Sequence, residues 1–285
     1  MPEDLRTIRR KIRTVTSVAQ ITRAMKMVAA ARLRRSQQVV ANSRPYWEGI
    51  RELARHLVGS LEEASHPFLS QEEPQRVALV VVAGDRGLCG SYNSLVFRRA
   101  DQALRELPVA LIIGVGEKVA SWAAAKGKPL HTLLPGYGGK SVGQVHLRVA
   151  NLLRACLDEG LCDGAYAVHT PFRSSLQNIA DVVRLLPMER EELRAGERVP
   201  YLFEPRAAEV LDALLPRALE AHVAQLVIEG AAAEQAARVA AMTAASDNAE
   251  ELMDELTRLR NRIRQQEITT EIMEVIGGAE AISAD

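Results

Sequence analysis

The sequence predicts an α/β protein in which a long antiparallel coiled coil of N- and C-terminal helices accompanies an inserted, Rossmann-like α/β domain with a mostly parallel sheet. Two observations carry this prediction. Both ends of the 285-residue chain repeat apolar residues at steps of three and four, and few glycines or prolines interrupt them. The middle alternates short β-branched runs with helical stretches, as parallel strands joined by crossover helices do.

The N-terminal helix is predicted over residues 1–58, with Pro45 as a kink or local break. Its apolar seam is narrow, as in a coiled coil. Between residues 21 and 35, Ala, Met and basic residues replace the broad Leu and Ile stripe of a globular helix. The predicted seam residues are Leu5, Ile8, Ile12, Val15, Val18 or Ala19, Ile21 or Thr22, Met25, and Val28 or Ala29.

After a linker at 59–75, residues 76–200 are predicted to form the α/β domain. The strands are RVALVVVAG (76–84), PVALIIGVG (108–116) and DGAYAVHTPF (163–172), with one or two edge strands within 174–188. Helices are expected at 91–106, 117–126 and 141–159. Such alternation predicts parallel strands with right-handed crossovers.

Residues 201–285 are predicted to form the C-terminal coiled-coil segment. A short helix at 206–215 is expected to end before Pro216, which would begin a second helix that extends to about residue 281. The predicted seam of this helix is Leu252, Leu256, Leu259 and Ile263.

Charge is balanced overall but not locally. The chain has 36 Lys and Arg against 36 Asp and Glu, so net charge indicates no polyanionic partner. Residues 1–35 carry ten basic residues against two acids, whereas residues 250–285 carry nine acids against four arginines. Opposite charge at the two ends favours their pairing.

The sequence predicts neither a membrane helix nor a secretory signal. The longest apolar run, at 77–83, is too short to cross a membrane, and the N-terminus lacks the apolar segment of a signal peptide. The three cysteines do not have the spacing of a metal site and indicate a reducing compartment.

Two glycine-rich turns raise the alternative of a nucleotide-binding α/β protein with a coiled-coil interaction arm. GDRGLCGSYN (84–93) has the spacing GxxGxxG and not GxGxxG, which favours a tight strand-to-helix turn at a surface contact. GYGGKS (136–141) would need a glycine at Leu134 to complete a phosphate loop. Cys156 and Cys162 have two interpretations: they form a redox-active pair, or both are buried structural thiols.

No residues assemble into a nucleophile, a base and an orienting group, and the six histidines lack ligand spacing. We therefore expect no catalytic site, metal, cofactor or bound small molecule. The basic N-terminal helix has no aromatic residue before Tyr46, which argues against nucleic-acid binding.

Three segments together resemble the gamma subunit of F-type ATP synthases: IRRKIRTVTSVAQITRAMKMVAAARLRRSQ (8–37), DRGLCGSYN (85–93) and EQAARVAAMTAASDNAEELMDELTRLRNRIRQQEITTEIMEVIGGAEAI (234–282). Within the third, the terminal ITTEIMEVIGGAEA (268–281) fits the spacing of that family's signature. The resemblance implies a central rotor shaft that turns inside an alpha–beta hexamer and couples proton flow to ATP synthesis or hydrolysis at the beta subunits. It also implies an α/β foot on the c ring that holds the epsilon subunit. The complex would be peripheral, at the cytoplasmic face of a bacterial plasma membrane.

The same resemblance assigns expected contact residues, position by position. Met25 lies in the family's coupling region, and Arg264, Gln265 and Thr269 match residues that touch the catch loops of the beta subunits. Phe203 and Glu204 match contacts of the foot with the c ring or epsilon. Arg32, Arg34 and Arg35 are added on the basis of charge, as partners for acidic beta-subunit loops.

Overall fold

The computed structural model describes residues 5–60, 66–69, 72–136, 142–174, 178–188, 204 and 206–283. Two long helices, α1 (Leu5–Ser60) and α5 (Ala207–Ser283), enclose the rest of the chain in sequence. Between them, after a 3₁₀ turn at Pro67–Leu69, come β1 (Val77–Val82), α2 (Tyr92–Glu106), β2 (Val109–Val115), α3 (Lys118–Ala125), β3 (Thr132–Leu134), α4 (Val142–Asp158), β4 (Gly164–His169) and β5 (Asp181–Leu186).

The five strands form one sheet in the order β3-β2-β1-β4-β5. All pairs are parallel except β4 with β5, where Tyr166 faces Arg184 in antiparallel register. The sequence therefore predicted the sheet correctly, including an edge strand within 174–188. It missed β3, whose three residues are too few to give a periodic signal.

β1 is the centre of the sheet, and all six of its residues are buried. Alternate side chains point to opposite faces, so Ala78 and Val80 join one apolar cluster while Leu79 and Val81 join the other. The first cluster includes residues of α1, α4 and α5, and the second includes residues of α2, α3 and α5. A continuous β-branched run is what burial on both faces requires.

Neither proline ends a helix. Pro45 lies inside α1 and Pro216 lies inside α5, so the predicted helix boundary at Pro216 is wrong. A proline within a helix removes one backbone hydrogen bond and costs about 3 kcal/mol. Leu215 and Leu219 are both completely buried, and their burial offsets that cost because each such side chain contributes about 1.5–3 kcal/mol.

The chain divides into two compact units. One combines Met1–Val28 with Val239–Asp285, and the other is Ala29–Arg238, which contains the sheet. Both long helices contribute residues to both units. Among the described residues, no helix has the length and apolar content needed to cross a bilayer.

In the first unit, α1 and α5 pair in antiparallel orientation, as predicted. The Thr16 hydroxyl lies 3.3 Å from the Met253 sulfur, and the Thr22 and Ser246 hydroxyl oxygens are 2.9 Å apart. As α1 advances by six residues, its partner on α5 therefore moves back by seven. An ion pair between Arg23 and Glu250 joins the oppositely charged ends that the sequence shows.

Candidate functional site

The interface between the two helices of the first unit uses the smaller of the alternative seam residues. On α1, Ala19 and Thr22 are buried, whereas Val18 is 46% and Ile21 is 59% exposed. On α5, Ala249 and Leu256 are buried, but Leu252 is 43% exposed, so its predicted place in the seam is wrong. Met253, one residue on, takes that place, because its sulfur contacts Thr16.

The large residues that the seam leaves out form an outer strip on α1: Val18, Ile21, Met25 and Val28. Their spacing of three, four and three residues places them on one helical face. Met25 is half-buried and Val28 is 53% exposed. An exposed apolar face on a charged helix is a surface that a partner can cover.

The other predicted contact residues are exposed. Arg32, Arg34 and Arg35 lie on α1, and Arg264 and Gln265 lie on α5. The Thr269 hydroxyl is exposed and donates to the Gln265 carbonyl at 2.8 Å, within its own helix. Glu204 is exposed, and Phe203 lies outside the described residues.

Met25 and Arg264 do not come together. The contacts of Thr16 with Met253 and of Thr22 with Ser246 place Leu5, and not Met25, at the level of Arg264. Met25 follows Leu5 by 20 residues on α1, which at about 1.5 Å per residue is roughly 30 Å along the helix. The predicted contact residues of this unit therefore belong to two separate surfaces of one helix pair, one at Met25 on α1 and the other at Arg264, Gln265 and Thr269 on α5.

Sequence reasoning missed the apolar end of α5. The register carries Leu5, the first described residue of α1, to a level near Arg264, so later residues of α5 have no described partner on α1. Five large apolar side chains lie in this stretch, with exposed fractions from 43% to 72%: Ile268, Ile272, Met273, Val275 and Ile276. The sequence did contain a signal for this feature: the C-terminal helix is longer than the N-terminal helix, so its end extends beyond the residues of α1 that could cover it.

In the second unit, the turn after β1 presents an exposed leucine. Leu88 is 63% exposed and has φ of +61°, a backbone conformation that costs an L-residue about 1–2 kcal/mol. Around it the turn is fixed: the Asn93 side chain accepts from Gly84 N at 2.9 Å, and Cys89 is buried. Leu88 is therefore an apolar side chain that the turn presents to solvent, where a partner can cover it.

The same turn is poorly suited to phosphate. The Asp85 carboxylate accepts from the backbone N–H groups of Glu117 at 3.2 Å and Gly136 at 2.9 Å, which already occupies donors that a phosphate would use. A Cβ added at Gly84 would stand 3.1 Å from the Glu234 carboxylate of α5. Because Asp85 already occupies these backbone donors and the Glu234 side chain stands close to Gly84, this crevice disfavours the nucleotide-binding alternative.

Glu234 belongs to a buried ion pair on α5. Its Oε1 accepts from Arg238 Nη2 at 2.6 Å, and the two side chains are 3% and 10% exposed. Arg238 also donates to the Gly87 carbonyl at 3.3 Å. The pair therefore joins α5 to the turn that displays Leu88.

The second glycine-rich turn, GYGGKS, falls mostly outside the described residues. Cys156 and Cys162 are free and buried, and burial raises the pKa of the Cys162 thiol to about 11. A thiol with a raised pKa is a poor nucleophile, which favours structural thiols over a redox pair. Within the described ranges, no three His, Cys, Asp or Glu side chains are arranged to hold a metal.

Comparisons with known proteins agree with this architecture. The family profile described as ATP synthase matches residues 4–282. The chain is 41% identical to the ATP synthase gamma chain of Acidothermus cellulolyticus, covering 100% of this chain and 99% of the relative, and 39% identical to that of Pelotomaculum thermopropionicum, covering 98% and 99%. A chain of the Euglena gracilis mitochondrial ATP synthase has the same fold, with a TM-score of 0.69, 18% identity and coverage of 98% and 95%. The chain therefore belongs to the ATP synthase gamma-chain family.

Proposed function

We propose that this chain is the central rotor shaft of an F-type ATP synthase. It couples transmembrane proton flow to ATP synthesis or hydrolysis at the beta subunits by rotating inside the alpha–beta hexamer. Catalysis belongs to the beta subunits, and this chain contributes no catalytic group of its own. The membership in the gamma-chain family supports this proposal.

One observation carries the proposal: the end of α5 is apolar and exposed. From residue 264 to residue 276 every residue is exposed, although five of them are large and apolar. Burying one such side chain is worth about 1.5–3 kcal/mol. Exposure of these side chains to water is therefore unfavourable, and a protein partner that surrounds the end of α5 would bury them.

The composition of the helix pair suits a rotating contact. Met is flexible and polarizable, so Met25 and Met273 can adapt to successive partners. Around Ala19 and Thr22 of α1, and Ser246 and Ala249 of α5, the seam is built from small residues, which hold the two helices together without large side chains that project and interlock with a partner. The exposed charges form pairs worth about 0–1 kcal/mol, which are easily remade at each step. The asymmetry of the shaft then biases each beta subunit toward a different conformation.

The specific contacts are part of the same proposal. Arg264, Gln265 and Thr269 meet the catch loops of the beta subunits, and the exposed apolar residues from Ile268 onward form the bearing. Met25 belongs to the coupling region. Arg32, Arg34 and Arg35 meet acidic loops of the beta subunits.

The remaining partners follow from the family. Residues 76–200 form the foot that meets the c ring and the epsilon subunit, with Phe203 and Glu204 among the contacts. Residues 1–58 and 201–285 form the shaft, and residues 59–75 link them to the foot. The complex is peripheral to the membrane, on the cytoplasmic face of a bacterial plasma membrane.

The proposal is tested by making the bearing polar. A variant with Ile268→Ser, Ile272→Ser and Val275→Ser keeps the helix length but removes three exposed apolar side chains. In membrane vesicles that carry the assembled complex, we expect ATP hydrolysis to continue while ATP-driven proton pumping per ATP falls. The matched control is Ile179→Ser in the other unit, where the side chain is 64% exposed.

Equal pumping by the triple variant and the control would refute the role of the bearing. A chain that does not co-purify with alpha and beta subunits would refute the rotor function as a whole.

A further inference from the structure

The segment of residues 84–92, which links β1 to α2 and is called the turn below, is bonded to α5 by two buried side chains. The Tyr92 hydroxyl donates to the Gly230 carbonyl at 3.1 Å. Arg238 donates to the Gly87 carbonyl at 3.3 Å. Both side chains are buried. One bond therefore runs from the turn to α5 and the other from α5 back to the turn.

A third contact lies between these two. The Glu234 carboxylate packs against Gly84, where an added Cβ would stand 3.1 Å from it. Gly230, Glu234 and Arg238 follow one another at steps of four residues, which places them on one face of the helix. At about 1.5 Å per residue, the three contacts span roughly 12 Å of α5. The turn thus contacts a continuous line of α5 and not a single point.

The rest of this part of α5 has little side-chain relief. Five of the seven residues from 231 to 237 are buried alanines: Ala231, Ala232, Ala233, Ala236 and Ala237. Helices lock against their neighbours when ridges of side chains enter grooves, and alanine gives only low ridges. Burial of apolar surface is also non-directional. Apolar packing therefore holds α5 in place but only weakly specifies its angle about its own axis.

The polar contacts specify that angle, because hydrogen bonds tolerate little change in distance and direction. Successive residues of a helix are 100° apart, so even a turn by one residue position would carry Gly230, Glu234 and Arg238 away from the turn together. Such a rotation would leave the Tyr92 hydroxyl without its bond to α5 and would move the buried ion pair off its site. Buried groups that lose their partners oppose this rotation.

The turn is itself fixed to the sheet. The Gly84 N–H donates to the Asn93 side chain at 2.9 Å, and the Gly84 carbonyl accepts from the Lys118 N–H at 3.1 Å. One residue earlier, the Ala83 N–H donates to the Val115 carbonyl of β2 at 2.9 Å. A force that α5 exerts on the turn is therefore carried by β2 and by the start of α3.

We propose that the turn fixes the angle of α5 about its own axis and transmits torque between the sheet and this helix, with Tyr92 and Arg238 as the positioning residues. This inference rests on the proposed rotor function, in which α5 belongs to the shaft and the sheet to the foot. Torque between them requires contacts that resist rotation. The directed contacts of the turn do so, whereas the alanine surface around them does not.

The test uses a triple variant that removes the directed contacts and keeps the apolar packing. Tyr92→Phe removes one hydroxyl group. Glu234→Leu with Arg238→Leu removes the ion pair and the bond to the turn without leaving a buried charge, and such replacements are often neutral or stabilising. We therefore expect the triple variant to remain folded, which urea unfolding checks. Tyr92→Phe alone carries the same test if the triple variant does not fold.

The matched control also loses one hydroxyl, one acid and one base. It combines Tyr46→Phe, at a side chain that is 58% exposed, with Arg206→Leu and Glu209→Leu. This ion pair lies at the start of α5, and its side chains are 82% and 47% exposed. The control thus repeats the chemical changes at sites that do not contact the turn.

The angle of α5 is measured on the full-length chain by pulsed electron spin resonance. Spin labels are attached at Arg98→Cys on α2 and Arg217→Cys on α5, both exposed positions, whereas the three native cysteines are buried. Rotation of α5 about its axis moves its label relative to α2. We expect the distribution of distances between the labels to broaden in the triple variant, to broaden less in Tyr92→Phe, and to stay unchanged in the control.

Torque is measured in membrane vesicles that carry the assembled complex, as protons pumped per ATP hydrolysed. We expect the triple variant to hydrolyse ATP but to lose pumping per ATP, and the control to keep it. A residue that serves stability alone would change urea unfolding but neither of these two measurements.

An unchanged distance distribution in both the triple variant and Tyr92→Phe would overturn the fixed angle. A broadened distribution with pumping equal to that of the control would overturn the transmission of torque. A chain that does not assemble with alpha and beta subunits would overturn the rotor function itself, and the distances measured on the full-length chain alone distinguish that failure from the other two.

Discussion

The buried ion pair of Glu234 and Arg238 allows a prediction whose magnitude follows from the structure. Replacing Glu234 with Leu leaves the Arg238 guanidinium 10% exposed, and among the described residues its remaining hydrogen-bond partner is the Gly87 carbonyl at 3.3 Å. Removing one partner of a buried pair costs about 3–5 kcal/mol, because the remaining charge stays in a low-dielectric interior. The reverse variant, Arg238→Leu, leaves the Glu234 carboxylate beside Gly84, so we expect a similar loss.

The double variant tests the reasoning most sharply. With both residues changed to Leu, no charge remains buried, and such replacements are often neutral or stabilising. We therefore expect Glu234→Leu with Arg238→Leu to recover most of the free energy of unfolding that each single variant loses. Since each single variant should lose about 3–5 kcal/mol and the double variant little, the coupling between the two positions should be at least about 5 kcal/mol in magnitude, above the roughly 0.5–3 kcal/mol typical of residues in contact.

The measurement is urea unfolding of the full-length chain, followed by circular dichroism. The matched control is the ion pair of Arg206, which directly precedes α5, with Glu209 in the first turn of α5: the Arg206 Nε and Glu209 Oε1 atoms are 2.7 Å apart, and the side chains are 82% and 47% exposed. Disrupting an exposed pair should change stability by about 0–1 kcal/mol. Single variants of the buried pair that lose no more than this control would refute the account of burial given above.

Three further predictions concern other buried groups. Burial lowers the pKa of His169 and His222 to about 4. As the pH falls below about 6.5, these histidines become protonated in the unfolded chain before they do in the folded chain, so the free energy of unfolding should fall between pH 6.5 and pH 4 by up to about 3 kcal/mol per histidine. Urea unfolding at several pH values measures this fall, and His222→Gln should make it smaller. Burial raises the pKa of all three cysteines, so a thiol reagent should react slowly with the native chain and titrate three thiols after unfolding. Thr22→Val should cost about 1 kcal/mol in thermal unfolding by removing the buried contact with Ser246, whereas Thr14→Val at an exposed site should be nearly neutral.

Much of the fold could be predicted because its signals are local. The run from Val77 to Val82 is wholly buried, and such runs are readable from residue type alone. The opposite charges of the two chain ends likewise predicted their pairing, and the ion pair of Arg23 with Glu250 is an instance of it.

Other features depend on tertiary context. The sequence left the seam open between Val18 and Ala19 and between Ile21 and Thr22, because adjacent residues fit a heptad almost equally well. The structure buries the smaller residue each time, which brings the helices close enough for Thr22 to contact Ser246. Pro216 was predicted to begin a new helix because proline disfavours the interior of a helix. That prediction did not include the burial of Leu215 and Leu219, which stabilises a continuous helix at this point.

The buried ion pair also separates stability from function in the proposed rotor. Leucines at positions 234 and 238 can restore packing, but they are non-directional, whereas the Arg238 side chain fixes α5 against the Gly87 carbonyl by a directed hydrogen bond. A shaft that transmits torque needs a defined angle at each contact. We therefore expect the double leucine variant, although as stable as the parent chain, to pump fewer protons per ATP in membrane vesicles. If its coupling equals that of the parent, the pair serves folding alone and the torque passes through other contacts of α5.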